Sequence, residues 1–189
     1  ILMDNWSEYK RVQKNGQEVL DAYHGAVVVT VDISQRSAPK IVGTTRVGNY
    51  ISASRLSSVT GATGSKHALY IAAQTYDNVS TDVVLKSFAI DAAGNLKEVT
   101  SLSLGGYART LQASGDKLMV ANYRYNNNDA YSEVNVIDIA SPEGVMVLGG
   151  SVRVTGVVQQ KHNMHIQGNV MRIVSGSTWG LSANAASNH

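Results

Sequence analysis

Apolar residues along this chain fall into short runs with two-residue alternation, broken by Gly, Asn, Asp and Ser. Three of these runs end on an aspartate: Val27-Val28-Val29-Thr30-Val31-Asp32, Val84-Leu85-Lys86-Ser87-Phe88-Ala89-Ile90-Asp91 and Val134-Asn135-Val136-Ile137-Asp138. After each comes a short turn, a second run and a glycine: Gly48, Gly106 and Gly156. Alternation of this length predicts strands, and recurrence at a period of roughly 50 residues predicts a repeat architecture with one small sheet per unit. Strands are expected at 26–33, 41–47, 50–56, 67–73, 83–90, 96–104, 107–113, 118–122, 133–139, 145–154 and 170–174. Turns are expected at Ala92-Ala93-Gly94-Asn95, Ser114-Gly115-Asp116-Lys117 and Gln167-Gly168-Asn169. Residues 7–24 read as a long loop, and Thr60-Gly61-Ala62-Thr63-Gly64 as a glycine-rich one.

Four strands between Gly48 and Gly105, and four more before Gly156, predict an all-β fold: a β-propeller with four-stranded antiparallel blades. The expected blade pieces are 1–48, 49–105, 106–155 and 156–189, two full blades between two partial ones. Ile1-Leu2-Met3-Asp4-Asn5-Trp6 lines up with Leu118-Met119-Val120-Ala121-Asn122-Tyr123, so both termini are expected inside blades of a longer protein. The remaining blades would come from the same longer chain or from another.

Composition narrows the chemistry. The chain has 189 residues, with 17 Gly, 9 Tyr, 2 Pro and no Cys. Absence of Cys excludes disulfides, thiolate catalysis and Cys-ligated metals. The formal charge of +2 is spread along the chain, with Lys10-Arg11 the one adjacent basic pair, so nucleic acid is not an expected partner. There is no apolar run of membrane-spanning length.

Several pieces together resemble bacterial secreted proteins that carry a C-terminal β-propeller domain. They are Val31-Asp32-Ile33-Ser34 with Ala38-Pro39-Lys40-Ile41-Val42, the stretch Val47-Gly48-Asn49-Tyr50-Ile51-Ser52-Ala53-Ser54-Arg55-Leu56, and His162-Asn163-Met164-His165 followed by Gly168-Asn169-Val170-Met171-Arg172-Ile173-Val174. His165 stands where an acidic residue is more usual. The resemblance covers most of residues 8–178. It implies a secreted, periplasmic or cell-surface bacterial protein and brings no catalytic residues with it.

Candidate chemistry is then weighed residue by residue. Asp32, Asp91 and Asp138 sit at strand ends, where a carboxylate accepts backbone N–H bonds, so they are expected as turn acceptors and not as a metal set. His162 and His165, three apart on an expected strand, would face opposite ways and share no ion. Asp77, Asp82, Asn126, Asn128 and Asp129 offer hard oxygens in two polar loops, a weak set for structural Ca²⁺. Arg55, Arg109 and Lys161 are candidates to line a central channel. The aromatic residues Trp6, Tyr50, Tyr76, Tyr107, Tyr123, Tyr125, Tyr131 and Trp179 are expected on the loops of one propeller face, where they suit a protein or glycan interface. No nucleophile elbow or P-loop occurs. The leading expectation is therefore a non-enzymatic binding or scaffold module. The alternative is a propeller enzyme, a metal-dependent or lactonase-like hydrolase, with its site at the channel.

Overall fold

A computed structural model describes residues 1–48, 50–61, 64–76, 81–91, 93–126, 129–176 and 187–188. Within these, the side chains of 59–61, 64–66, 75–76, 81, 108–109, 126, 129 and 187–188 are not described. The described chain is all-β apart from one short 3₁₀ turn. The strands are β1 (Leu2–Lys14), β2 (Gln17–Asp32), β3 (Lys40–Gly48), β4 (Tyr50–Gly61), β5 (Gly64–Tyr76), β6 (Thr81–Ile90), β7 (Leu96–Ser103), β8 (Tyr107–Ser114), β9 (Lys117–Asn126), β10 (Asp129–Asp138), β11 (Val147–Thr155), β12 (Met164–Gln167), β13 (Val170–Ser175) and β14 (Ser187–Asn188). The 3₁₀ turn, Lys161–Asn163, precedes β12.

The strands form four antiparallel meanders in chain order: β1-β2-β3, β4-β5-β6-β7, β8-β9-β10-β11 and β12-β13-β14. Three apolar clusters join them face to face. Ala26, Val28 and Val47 of the first sheet pack on Ile71, Ala73 and Phe88 of the second. Tyr70, Ala72 and Leu85 of the second pack with Leu111, Leu118, Val120 and Ile137 of the third. Met119, Ala121 and Val134 of the third pack with Met164 and Ile173 of the fourth. Each middle sheet is thus covered on both faces. That is why β5 and β9 carry unbroken apolar runs, Ala68 to Ala73 and Leu118 to Ala121. Successive residues point to opposite faces, and here both faces need filling.

The turns follow the chemistry expected of them. The Oδ1 atoms of Asp32 and Asp138 accept the N–H groups of Ser34 and Ala140 at 2.8 Å, and Asp91 Oδ1 accepts those of Ala93 (2.9 Å) and Asn95 (2.8 Å). Each carboxylate closes a turn on residue i+2, at a strand end in one of three different sheets. The glycine series marks the crossings between sheets. Gly106 (φ 69°) and Gly156 (φ 83°) adopt left-handed conformations. At Gly156 a Cβ would collide with the carbonyl oxygen of Gly176.

Buried or half-buried polar side chains pin these crossings. The Tyr23 hydroxyl lies 2.6 Å from the Ala26 carbonyl and 2.9 Å from that of Gly48. Gln74 Nε2 donates to Gly106 O at 3.2 Å, and Asn122 Nδ2 to Gly105 O at 3.0 Å. Ser132 Oγ donates to Gly156 O at 3.0 Å and accepts from Val158 N at 2.9 Å. Crossing backbone that leaves one sheet for the next lacks a ladder partner, and these side chains supply it.

Three sequence expectations are corrected. Residues 7–24 are not a loop: β1 and β2 pair without a register shift from Trp6↔Gly25 to Lys14↔Gln17. Their turn is Asn15-Gly16, both residues at positive φ (53° and 79°), as a two-residue hairpin turn of the primed type demands. The glycine-rich stretch is also largely strand, since β4 and β5 stay paired to Gly61↔Gly64. Likewise the Asn-rich stretch is the end of a hairpin, with Asn126↔Asp129 in register. Long polar hairpin ends lack the buried face that makes alternation visible, so they read as loops.

Candidate functional site

The upper end of the third sheet collects three of the aromatic candidates. Tyr107 on β8 and Tyr123 on β9 are register partners. Tyr125 follows two residues later on the same side of β9. Tyr107 and Tyr125 are 49% and 62% exposed, so these rings offer surface and do not fill the core. They lie on strands, not on loops as expected.

Next to them lies a polar framework. Arg124 Nε donates to Glu133 Oε2 at 2.5 Å, while its Nη2 holds the Leu104 carbonyl at 2.9 Å. Tyr131, which pairs in register with Arg124, belongs to the opposite side of the sheet. The Arg153 guanidinium sits 3.8 Å from its ring centroid. Tyr131 is thus a packing partner, not a member of the tyrosine row. Tyr50 is exposed at the start of β4 on the neighbouring sheet. Trp6 lies apart, on β1. Trp179 lies outside the described residues, and Tyr76 ends β5 with its side chain undescribed.

The channel candidates lie on three elements: Arg55 on β4, Arg109 on β8 and Lys161 on the 3₁₀ turn before β12. Arg55 on β4 donates from Nη2 to Gln112 Oε1 on β8 at 2.6 Å, a contact between the first strands of adjacent sheets. Lys161 is on the 3₁₀ turn and not on an inner strand. Gln160 and Asn163 close that turn, with Gln160 N donating to Asn163 Oδ1 at 3.0 Å. Arg109 is on β8, its side chain undescribed. His162 is in the same 3₁₀ turn and His165 on β12, so the expectation of one strand carrying both is also corrected.

Of the calcium candidates, Asp77 and Asn128 lie outside the described residues. Asn126 and Asp129 are strand residues, and Asp82 of β6 pairs with Thr75 of β5. Among the described residues, no group of three His, Cys, Asp or Glu could hold a metal.

The first sheet carries a second cluster, which the sequence reading passed over. Beyond the short β3 ladder, β1 and β2 continue as a two-stranded ribbon. On one side of it Arg46 of β3 gathers Glu8 Oε2 (2.9 Å) and Asp21 Oδ2 (2.8 Å), with its guanidinium 4.7 Å from the Tyr23 ring centroid. Lys10 also pairs with Glu8. The bonds from Lys10 and then Arg46 hold the Glu8 carboxyl below its ordinary range. On the other side His24 bridges two hydroxyls: Ser7 Oγ lies 2.9 Å from Nδ1 and Tyr9 Oη 3.0 Å from Nε2. The Tyr9 and His24 rings meet edge to face, 5.4 Å between centroids. A groove of about 240 Å³ beside them is lined by Asn5, Trp6, Ser7, His24 and Gly25. Asn15-Gly16 is the sequence signal that would have revealed this ribbon and so paired Ser7 with His24.

Comparison with family models, with curated proteins and with solved structures finds no match to this chain.

Proposed function

We propose that the chain is part of a β-propeller, one blade per sheet, that serves as a non-enzymatic binding or scaffold module at the bacterial cell surface or envelope. The architectural support is the stack itself. Four meanders follow one another in chain order, each packed on the next, with first strands β4 and β8 joined through Arg55 and Gln112. Repetition of this step is how propeller blades are set around an axis.

The observation that carries the binding reading is the tyrosine row, Tyr107, Tyr123 and Tyr125, at the end of the third sheet where β9 turns into β10. Large amphipathic rings on rigid strands bind a partner at low entropic cost. The Arg124–Glu133 pair behind them fixes the backbone that presents them. The partner favoured is a protein. The channel reading has less support, because Arg55 is already engaged by Gln112 and Lys161 is off the inner strands.

The test is retention of solubilised bacterial envelope protein on the immobilised chain. Tyr107→Ala with Tyr125→Ala is expected to weaken retention at least tenfold with an unchanged far-UV circular dichroism spectrum. Equal retention by the double variant sinks the reading. Retention that survives protease but not periodate moves the rim to a glycan partner.

A further inference from the structure

We propose that the β1–β2 ribbon carries a saccharide-binding site of its own, centred on Tyr9, His24 and Ser7, that takes a neutral hexose-containing oligosaccharide. The cluster sits on one side of the ribbon, since Ser7↔His24 and Tyr9↔Ala22 are register partners two residues apart. The Tyr9 ring is 59% exposed, although its hydroxyl is tethered to His24. A flat ring held in place and more than half open to solvent is what the C–H face of a pyranose stacks on.

The polar groups match the same ligand. An imidazole bridging two hydroxyls leaves Ser7 Oγ and Tyr9 Oη with lone pairs to spare, and each can turn its proton outward. A sugar hydroxyl is likewise donor and acceptor at once, so vicinal hydroxyls can exchange bonds with such a row without bringing charge. The groove beside the row has no charged lining residue. The cations beside it are ion-paired: Arg46 with Glu8 and Asp21 and Lys10 with Glu8 on the opposite side of the ribbon, and Arg11 with Glu18 at 3.5 Å. A neutral ligand therefore fits better than an anion.

The local backbone is also distinctive. A register shift between Met3 and Trp6 sets Asp4 and Asn5 outside the ladder, with Asn5 at φ 57°. The shift re-aims the groove wall, as bulges beside binding sites do.

The site goes beyond the tyrosine rim and is tested apart from it. The chain, labelled with ¹⁵N, is titrated with cello-, malto-, laminari- and chitohexaose. At least one is expected to shift amide signals confined to residues 5–9 and 22–25 and to alter tryptophan fluorescence saturably. Tyr9→Ala is expected to weaken that binding at least tenfold and Tyr9→Phe only a few-fold, because the ring remains. The rim variant carrying Tyr107→Ala and Tyr125→Ala should bind the sugar as the parent does. No saturable response to any of the four, shifts away from the ribbon, or full binding by a folded Tyr9→Ala chain overturns the proposal.

Discussion

The third sheet and the β1–β2 ribbon are made of the same secondary structure, yet they are held in opposite ways. In β9, Leu118, Met119, Val120 and Ala121 are all fully buried, because sheets lie on both sides. In the ribbon, Tyr9, Val12, Val19 and Leu20 are exposed, and stability comes from cross-strand pairs and from Arg46. A two-stranded ribbon is marginal by itself. The contrast teaches that the stacked sheets supply rigidity, while the regions that repeat least, the ribbon and the tyrosine rim, hold the free surface.

The same truncation at two sites measures the contrast most directly. Leu118→Ala is expected to cost about 3 kcal/mol, since the side chain is wholly enclosed and leaves a cavity. Leu20→Ala, at 63% exposure, should change stability by less than about 0.5 kcal/mol. Equal melting shifts for the two would break the comparison.

Next in size is Gly156→Ala. The left-handed φ of 83° and the carbonyl of Gly176 both oppose a Cβ, so a loss of about 2 kcal/mol is expected in denaturant titration. Asn122→Ala follows, at about 1–2 kcal/mol, because Asn122 is fully buried and its loss leaves the Gly105 carbonyl without its donor.

Arg46→Ala sharpens the other half of the comparison. Exposed ion pairs contribute little globally, so the melting temperature should move by a degree or two at most. Amide exchange across residues 7–24 should nevertheless quicken several-fold while that of β9 stays unchanged. Uniform quickening would mean that the ribbon and the stack open together.

The smallest effect is that of acid. The N–H of Ala140 and then Lys117 hold the Asp138 carboxyl below its ordinary value of 3.8. A depressed folded pKa contributes stability that is fully present above 3.8 and is lost as pH falls through the lower folded value. Asp138→Asn should therefore lower the melting temperature slightly at pH 7, leave it nearly unchanged at acid pH where Asp138 is already protonated, and so flatten the decline between the two. A steeper decline in the variant would reverse the sign of this contribution.

Much of this architecture is legible along the chain. The runs ending at Asp32, Asp91 and Asp138 mark strands, because alternation against one or two buried faces is a local pattern. The aspartates and Gly106 and Gly156 mark turns, because Asx bonds and left-handed backbone are decided within a few residues. The tyrosines are legible as interface material, but not as one row. Register, which pairs Tyr107 with Tyr123 and sends Tyr131 to the Arg153 side, is a relation between strands distant in sequence. The ribbon was concealed because both its faces meet water, and without a buried face polar strands look like loops.

Sequence by itself determined which segments extend and where they turn, since these depend on side chains within a few residues of one another. Only the tertiary structure decided which faces are covered, that Arg55 reaches Gln112 across two sheets, and that Ser7, Tyr9 and His24 meet. Those relations rest on register and stacking. A slip of one residue along β1 would turn Ser7 and Tyr9 to the opposite side of the ribbon, and the composition of the chain would be unchanged.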